Sequence, residues 1–165
     1  MIGREIKMEE KEKEKQSEMQ GGEGDGAIDL FRGEYAFLSN MYECSVTYGG
    51  LTFRSSESAF QAQKDPARAA EFATVPGKSA KWLGKRVVLR SDWEEVKLAL
   101  MEEILRAKFT QNLDLKEKLL ATGDRLLVEG NNWNDRFWGV CKGKGANHLG
   151  KLLMKIRAEL SGETH

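Results

Sequence analysis

The chain has 165 residues, with 26 Lys/Arg balanced by 26 Asp/Glu and an apolar fraction of 40% that includes four Trp and seven Phe. This fills the core of one domain of ordinary size. Two cysteines, Cys44 and Cys141, exclude a disulfide framework, His148 and His165 alone give no histidine-based metal site, and no run of about 18 apolar residues offers a membrane span.

Charge is uneven along the chain. Residues 1–26 carry five basic and eight acidic side chains, net −3, which leaves 21 against 18, net +3, for the remainder. "MEEKEKEKQSEMQGGEGDG", Met8 to Gly26, has almost no apolar surface to offset the entropy of ordering, so residues 1–26 read as a disordered charged tail. A frayed helix over residues 4–19 is the alternative. With no signal-peptide core at the N-terminus, the expected setting is cytoplasmic, with both thiols reduced.

The domain, residues 27–165, begins its packing near Ile28. "VTYGGLTFRS" predicts two short strands, 45–48 and 51–53, joined by a Gly-Gly turn. Ser55 or Ser56 caps a helix carrying Glu57 to Lys64. Asp65-Pro66 opens a second helix to about Phe72, and Pro76 a third that stops before Gly84. "KRVVLRS" reads as a strand. Ser91 and Glu94 fit a capping box before a long helix that buries Trp93, Val96, Leu100, Ile104 and Leu105. Residues 112–121 form another helix, "DRLLVEG" another strand, and residues 147–160 the last helix, with Leu149, Leu152, Leu153, Ile156 and Leu160 inward. Helices dominate and strands are short, so the predicted class is α+β: a compact, mainly helical single domain with a small antiparallel or mixed sheet.

Four segments carry chemistry. At 100° per residue, "SSESAFQAQK" puts Glu57, Gln61 and Lys64 on one side of a helix, bordered by Phe60. A solvated face needs neither the amide nor the aromatic. "PGKSAK" ends like a phosphate-binding P-loop, but Phe72 stands where the first glycine is required; Lys78 and Lys81 at a helix start could still hold a phosphate. "NNWNDRFWG" places Trp133, Phe137, Trp138, Asp135 and Arg136 in an Asn-rich loop, either as a stacking surface for base and ribose or as a plug for the core. "GKGANHLG" offers amides and Lys142 or Lys144 to an anion, or is a flexible connector.

Taken in order, "FRGEYAFLSN", "GLTFRSSESAFQAQK", "AKWLGKRV", "RSDWEEVK", "LRAKFTQN", "LLATGDRLLVEG", "DRFWG" and "GKGANHLGKLLMKIR" resemble the NADAR family, named for NAD and ADP-ribose, from about Phe31 to Leu160. The resemblance implies a compact α+β fold, no cofactor, and N-glycosidase chemistry of the kind that acts on riboflavin-pathway intermediates. It implies Glu57, Lys64 and Asp135 as catalytic residues. Substrate contacts are implied for Phe31, Arg32, Asn40, Gln61, Trp93, Trp138, Gly139 and Asn147. Many members have His directly after the glutamate, where this chain has Ser58, and Met41 stands where Phe is usual.

The implied substrates join ribose C1′ to an exocyclic amine. A carboxyl group can protonate the departing nitrogen or activate water, and its charge supports the cationic sugar. A neutral Lys64 could exchange into a ring-opened sugar as a Schiff base. ADP-ribose on guanine in nucleic acid is the favoured substrate, implying an ADP-ribosyltransferase counterpart; a phosphoribosylamino-pyrimidine of riboflavin synthesis is the alternative. A non-catalytic reader of ADP-ribose or NAD would need neither Glu57 nor Lys64, and a single-strand nucleic-acid binder would demand a more basic surface.

Overall fold

The computed structural model describes residues 26–163. The charged-tail reading falls almost wholly outside them. A 3-10 helix, Gly33–Leu38, opens the described chain and buries Phe37 and Leu38. Strands β1 (Val46–Tyr48) and β2 (Leu51–Phe53) pair antiparallel with Thr47 opposite Thr52. Gly49 and Gly50 join them at φ 60° and 83°, the positive values that a tight hairpin turn requires.

Helix α1 (Ser56–Ala62) follows, then a 3-10 turn (Pro66–Arg68), α2 (Ala70–Ala73) and α3 (Gly77–Gly84). The predicted second helix is therefore broken into two short pieces, and the Asp65 side chain makes no capping bond. Helices α4 (Trp93–Gln111), α5 (Leu113–Ala121) and α6 (His148–Glu163) complete the helical part. They pack on one another through Met101, Ile104, Leu105 and Phe109 of α4, Leu115 and Leu119 of α5, and Leu149, Leu153, Ile156 and Leu160 of α6, all buried. Val96, Leu100 and Leu152 are only partly buried, so the apolar stripe of α4 centres on Met101 and Leu105.

Three local expectations are corrected. The N-cap of α4 is Asp92, not Ser91, and no capping box forms; the Asp92 carboxylate is taken by Arg90, whose Nε and Nη2 donate to it at 2.6 and 3.0 Å. "KRVVLRS" is not a strand. Val88 and Leu89 are 83% and 50% exposed, and with no neighbouring strand an extended segment has no ladder to join. "DRLLVEG" makes one parallel bridge, Leu127 with Ile28, before the short strand β3 (Gly130–Asn131), which pairs parallel with β4 (Val140–Cys141). The strands thus form two separate pairs within an α+β, mainly helical domain. Among the described residues no helix is long and apolar enough to cross a membrane.

A lysine lies in the core. Lys108 of α4 is fully buried and donates to Ser39 O at 3.0 Å. Burial pulls its ammonium down to about 8, against the smaller opposing effects of Cys44 and Glu129. Its bond fixes the segment that leads to Asn40.

Candidate active site

Helix α1 is short, and all seven of its side chains are buried. Ser55 Oγ accepts from Ser58 N at 3.0 Å, the expected N-cap. Glu57 N donates to Asn40 O at 3.0 Å, and Ser56 Oγ to Asn40 Oδ1 at 2.8 Å. The start of the helix is therefore stitched to the segment that Lys108 holds. Glu57 Oε1 accepts from Gln61 Nε2 at 2.8 Å. Burial pushes the Glu57 carboxyl up; the Gln61 bond, Lys81 and Lys64 oppose this, and Asp135 adds to it. Gly84 lets α3 approach: a Cβ there would overlap Gln61 Oε1, itself buried without a hydrogen-bond partner.

Glu57 opens into a cavity of about 430 Å³. One wall is aromatic. Phe60 lies 4.9 Å from Trp93 and 5.4 Å, edge-on, from Trp138, centroid to centroid, and Phe137 sits behind Trp138 at 4.8 Å. The opposite character comes from Lys64, Lys81 and Lys97. Lys64 lies just beyond the end of α1, not in it: its N–H donates to Gln61 O, its carbonyl accepts from Arg90 N, and its Nζ stands 5.7 Å from the Trp93 ring. Burial lowers the Lys64 ammonium; Glu57 opposes this, and Lys81, Lys85 and Lys97 lower it further.

The remaining wall is the segment 129–138. Asn131 knits it: its Nδ2 donates to Asp135 O at 2.8 Å and its Oδ1 accepts from Asp135 N at 3.0 Å. Asp135 Oδ1 in turn accepts from Phe137 N and Trp138 N, at 3.2 and 2.9 Å. The Asn-rich sequence thus becomes a fixed turn, with Asn134 at φ 65°. Glu129 precedes it, its backbone held by Asn147 Oδ1 at 3.0 Å and by Val140 N at 2.8 Å. Burial pushes its carboxyl up to about 7; Asp135 and Glu57 add to this, and Lys108 and Lys81 oppose it.

The NADAR domain model matches residues 30–161. The chain belongs to the NADAR family. It is 38% identical over 138 residues to N-glycosidase YbiA of Escherichia coli, covering 79% of this chain and 84% of that one. The NMR structure of the E. coli protein superposes with a TM-score of 0.75 over 86% of this chain and 88% of the other. A riboflavin biosynthesis protein of Vibrio vulnificus is also 38% identical over 138 residues, but these span 76% of this chain and only 36% of that longer protein. With these relatives, the NADAR chain is a hydrolase of glycosyl bonds, an N-glycosidase.

Of the residues singled out in the sequence, the NADAR cavity brings together Asn40, Glu57, Gln61, Lys64, Trp93, Asp135 and Trp138. It does not bring in Phe31, Arg32, Gly139 or Asn147. Phe31 is a buried core residue, and Arg32 and Gly139 lie outside the lining. Asn147 clamps two backbone groups of one segment, donating from Nδ2 to Leu127 O at 2.9 Å and accepting from Glu129 N. The loop aromatics, left open between stacking surface and core plug, divide: Trp138 is half-buried and Trp133 is 53% exposed, and both line the cavity. Sequence reasoning missed Glu129. The one signal available was an acid at the end of an apolar run, directly before the aromatic loop.

Proposed function

We propose that this cavity hydrolyses the bond between ribose C1′ and an exocyclic base amine, and that the substrate is ADP-ribose carried on guanine in nucleic acid. The observation that carries the reaction is the buried Glu57 carboxyl, held by Gln61 and faced by an aromatic wall and Lys64. Burial favours its neutral form, while the Gln61 amide and two lysines favour the ionised one, opposing pulls on a group that has to exchange a proton. Trp93 and Trp138 stack on the base or shield the cationic sugar. Asp135 adds negative charge to the same cavity while holding the backbone that presents Trp138. Lys64, its ammonium lowered by burial and by three other lysines, is suited to attack a ring-opened sugar as a neutral amine. The chemistry needs only protein groups.

A cation cluster supports the nucleotide reading. Lys78, Lys81, Lys85 and Arg86 are exposed along and just beyond α3, which has no acid in its first turn. Among the described residues none of them, nor Lys64, takes part in an ion pair at salt-bridge distance. Close like charges without a salt-bridge partner favour a bound polyanion. Beside them Arg86 lies over the half-exposed Trp82 ring at 3.4 Å from its centroid.

A second reading, a phosphoribosylamino-pyrimidine, is favoured by the names of the Vibrio relative and of the riboflavin biosynthesis protein PYRR of Arabidopsis thaliana, 41% identical over 99 residues. Product analysis after parallel incubation with ADP-ribosylated guanine DNA and with the ribosylaminopyrimidine phosphate separates the two. Release of free ADP-ribose with unmodified guanine is the expected result. Turnover of the pyrimidine alone selects the second reading, and turnover of neither removes the glycosidase assignment to this cavity.

A further inference from the structure

Among the described residues three carboxyl groups line the cavity, and each is bound differently. Glu57 accepts from the Gln61 amide, and Asp135 accepts from two backbone N–H groups. Glu129 has neither: its Oε2 is buried without a hydrogen-bond partner, and the residue joins no ion pair at salt-bridge distance among the described residues. Its backbone cannot retreat. Asn147 and Val140 pin its N–H and C=O, and a Cβ on Gly139 would overlap its carbonyl oxygen, so the two segments touch at their backbones.

Donated hydrogen bonds stabilise a carboxylate, and their lack in a dry place stabilises the acid. The geometry points to Glu129 as the group that protonates the departing nitrogen, leaving Glu57 to activate the water. This rests on the glycosidase reading above and divides its acid and base work between two residues. The C1′–N bond breaks with its electron pair going to nitrogen, and the Glu129 proton moves to that nitrogen, releasing the free amine. On this route water, not the Lys64 amine, adds to the cationic C1′ and gives its proton to Glu57. The proton passes to solvent, and Glu129 takes one back, so the cycle consumes one water. The groups facing Glu129 are Asp135 and Glu57, which favour its protonated form, and Lys108 and Lys81, which oppose it. Burial raises both carboxyls, and what sets them apart is bonding: the Gln61 amide donates to Glu57 and so supports its carboxylate, whereas nothing donates to the buried oxygen of Glu129.

The test is Glu129→Gln, read on an N-ribosyl substrate that wild type turns over and on a ribosyl substrate with a 4-nitrophenoxide leaving group, which departs without protonation. The expected loss on the first is about 10²- to 10⁴-fold in kcat, with the aryl substrate slowed less than tenfold and melting retained. The wild-type pH profile of kcat/KM should fall on its alkaline side, and that limb should vanish in Glu129→Gln. If wild type does not accept the aryl substrate, the alkaline limb decides. Equal losses on both substrates, a limb that persists, or more than a tenth of wild-type kcat in the variant each overturn the assignment. Inactivity of wild type on every N-ribosyl substrate fails the glycosidase reading instead, a result visible before any variant is made.

Discussion

Helices α1 and α4 both contribute to the interior, yet they use burial in opposite ways. Helix α4 runs for 19 residues and buries one stripe, Met101, Ile104, Leu105 and Phe109, with Lys108 as its one buried charge. Helix α1 has seven residues and buries them all, Ser56, Glu57, Ser58 and Gln61 among them. Apolar burial along α4 stabilises the fold at about 25 cal/mol per Å². Burial of a carboxyl and an amide along α1 works against it unless each polar group finds a partner, and Gln61 Oε1 has none. The stability of the domain therefore sits in α4, α5 and α6, and its chemistry sits where that stability is spent.

The comparison breaks first at Glu57. Glu57→Gln keeps shape and removes ionisation, so kcat should fall by about 10² to 10⁴ while the melting temperature holds or rises. More than a tenth of wild-type kcat at unchanged stability would take Glu57 out of the proton transfer. Next is the scaffold. Phe109→Ala should cost about 3 to 5 kcal/mol in denaturant unfolding while the folded fraction keeps its kcat; a kcat that falls in step with stability would join the two helices into one functional unit. Gly84→Ala tests the seam between α1 and α3. Its Cβ must displace Gln61, so about 1 to 3 kcal/mol of stability should be lost together with activity. Full activity would mean that the Gln61–Glu57 bond is dispensable.

The smallest effect is a pH dependence. The Glu129 carboxyl ordinarily titrates near 4.5 and is raised in the fold to about 7, so between those values the folded state binds more protons than the unfolded one. Stability from this group is full below the lower value and declines as pH rises through the higher one. Glu129→Gln should melt with wild type at pH 5 and above it at pH 8. Parallel melting curves across that range would place the carboxyl in water.

Most of the helical frame was legible in the sequence because its signals are local. The Gly-Gly turn, the Ser55 cap and the apolar spacing of α6 each act within a few residues. The two failed strands share one cause. Val88 and Leu127 sit in runs of good strand formers, but a strand exists only with a partner, and no local signal says that one run finds Ile28 and the other finds nothing. The site divides the same way. Glu57 and Gln61 are one turn apart on α1 and could be paired on a helical wheel. Lys64 reaches the same cavity, but from the turn after α1. Glu129 belongs to the site through Asn147 and Val140, contacts that no spacing announces. Ser58 shows the converse. It follows Glu57 directly, yet its hydroxyl donates to Val75 O at 2.9 Å and does not line the cavity, so this position belongs to a packing seam next to α3.

The bridge between Ile28 and Leu127 has a kinetic consequence. Arg125 donates to Gly26 O across 99 positions and to the Tyr35 hydroxyl across 90, and the Ile28 bridge closes the same long loop. Contacts that distant are slow to form, because the entropy of closing the loop comes before any reward. The β1–β2 hairpin and the long helix can appear early; the segment that presents Glu129 can be seated only when Gly26 and Ile28 meet the run around Leu127. In stopped-flow refolding, helical circular dichroism should return before catalytic turnover. Simultaneous recovery of the two signals would mean that this long-range contact forms in the first step.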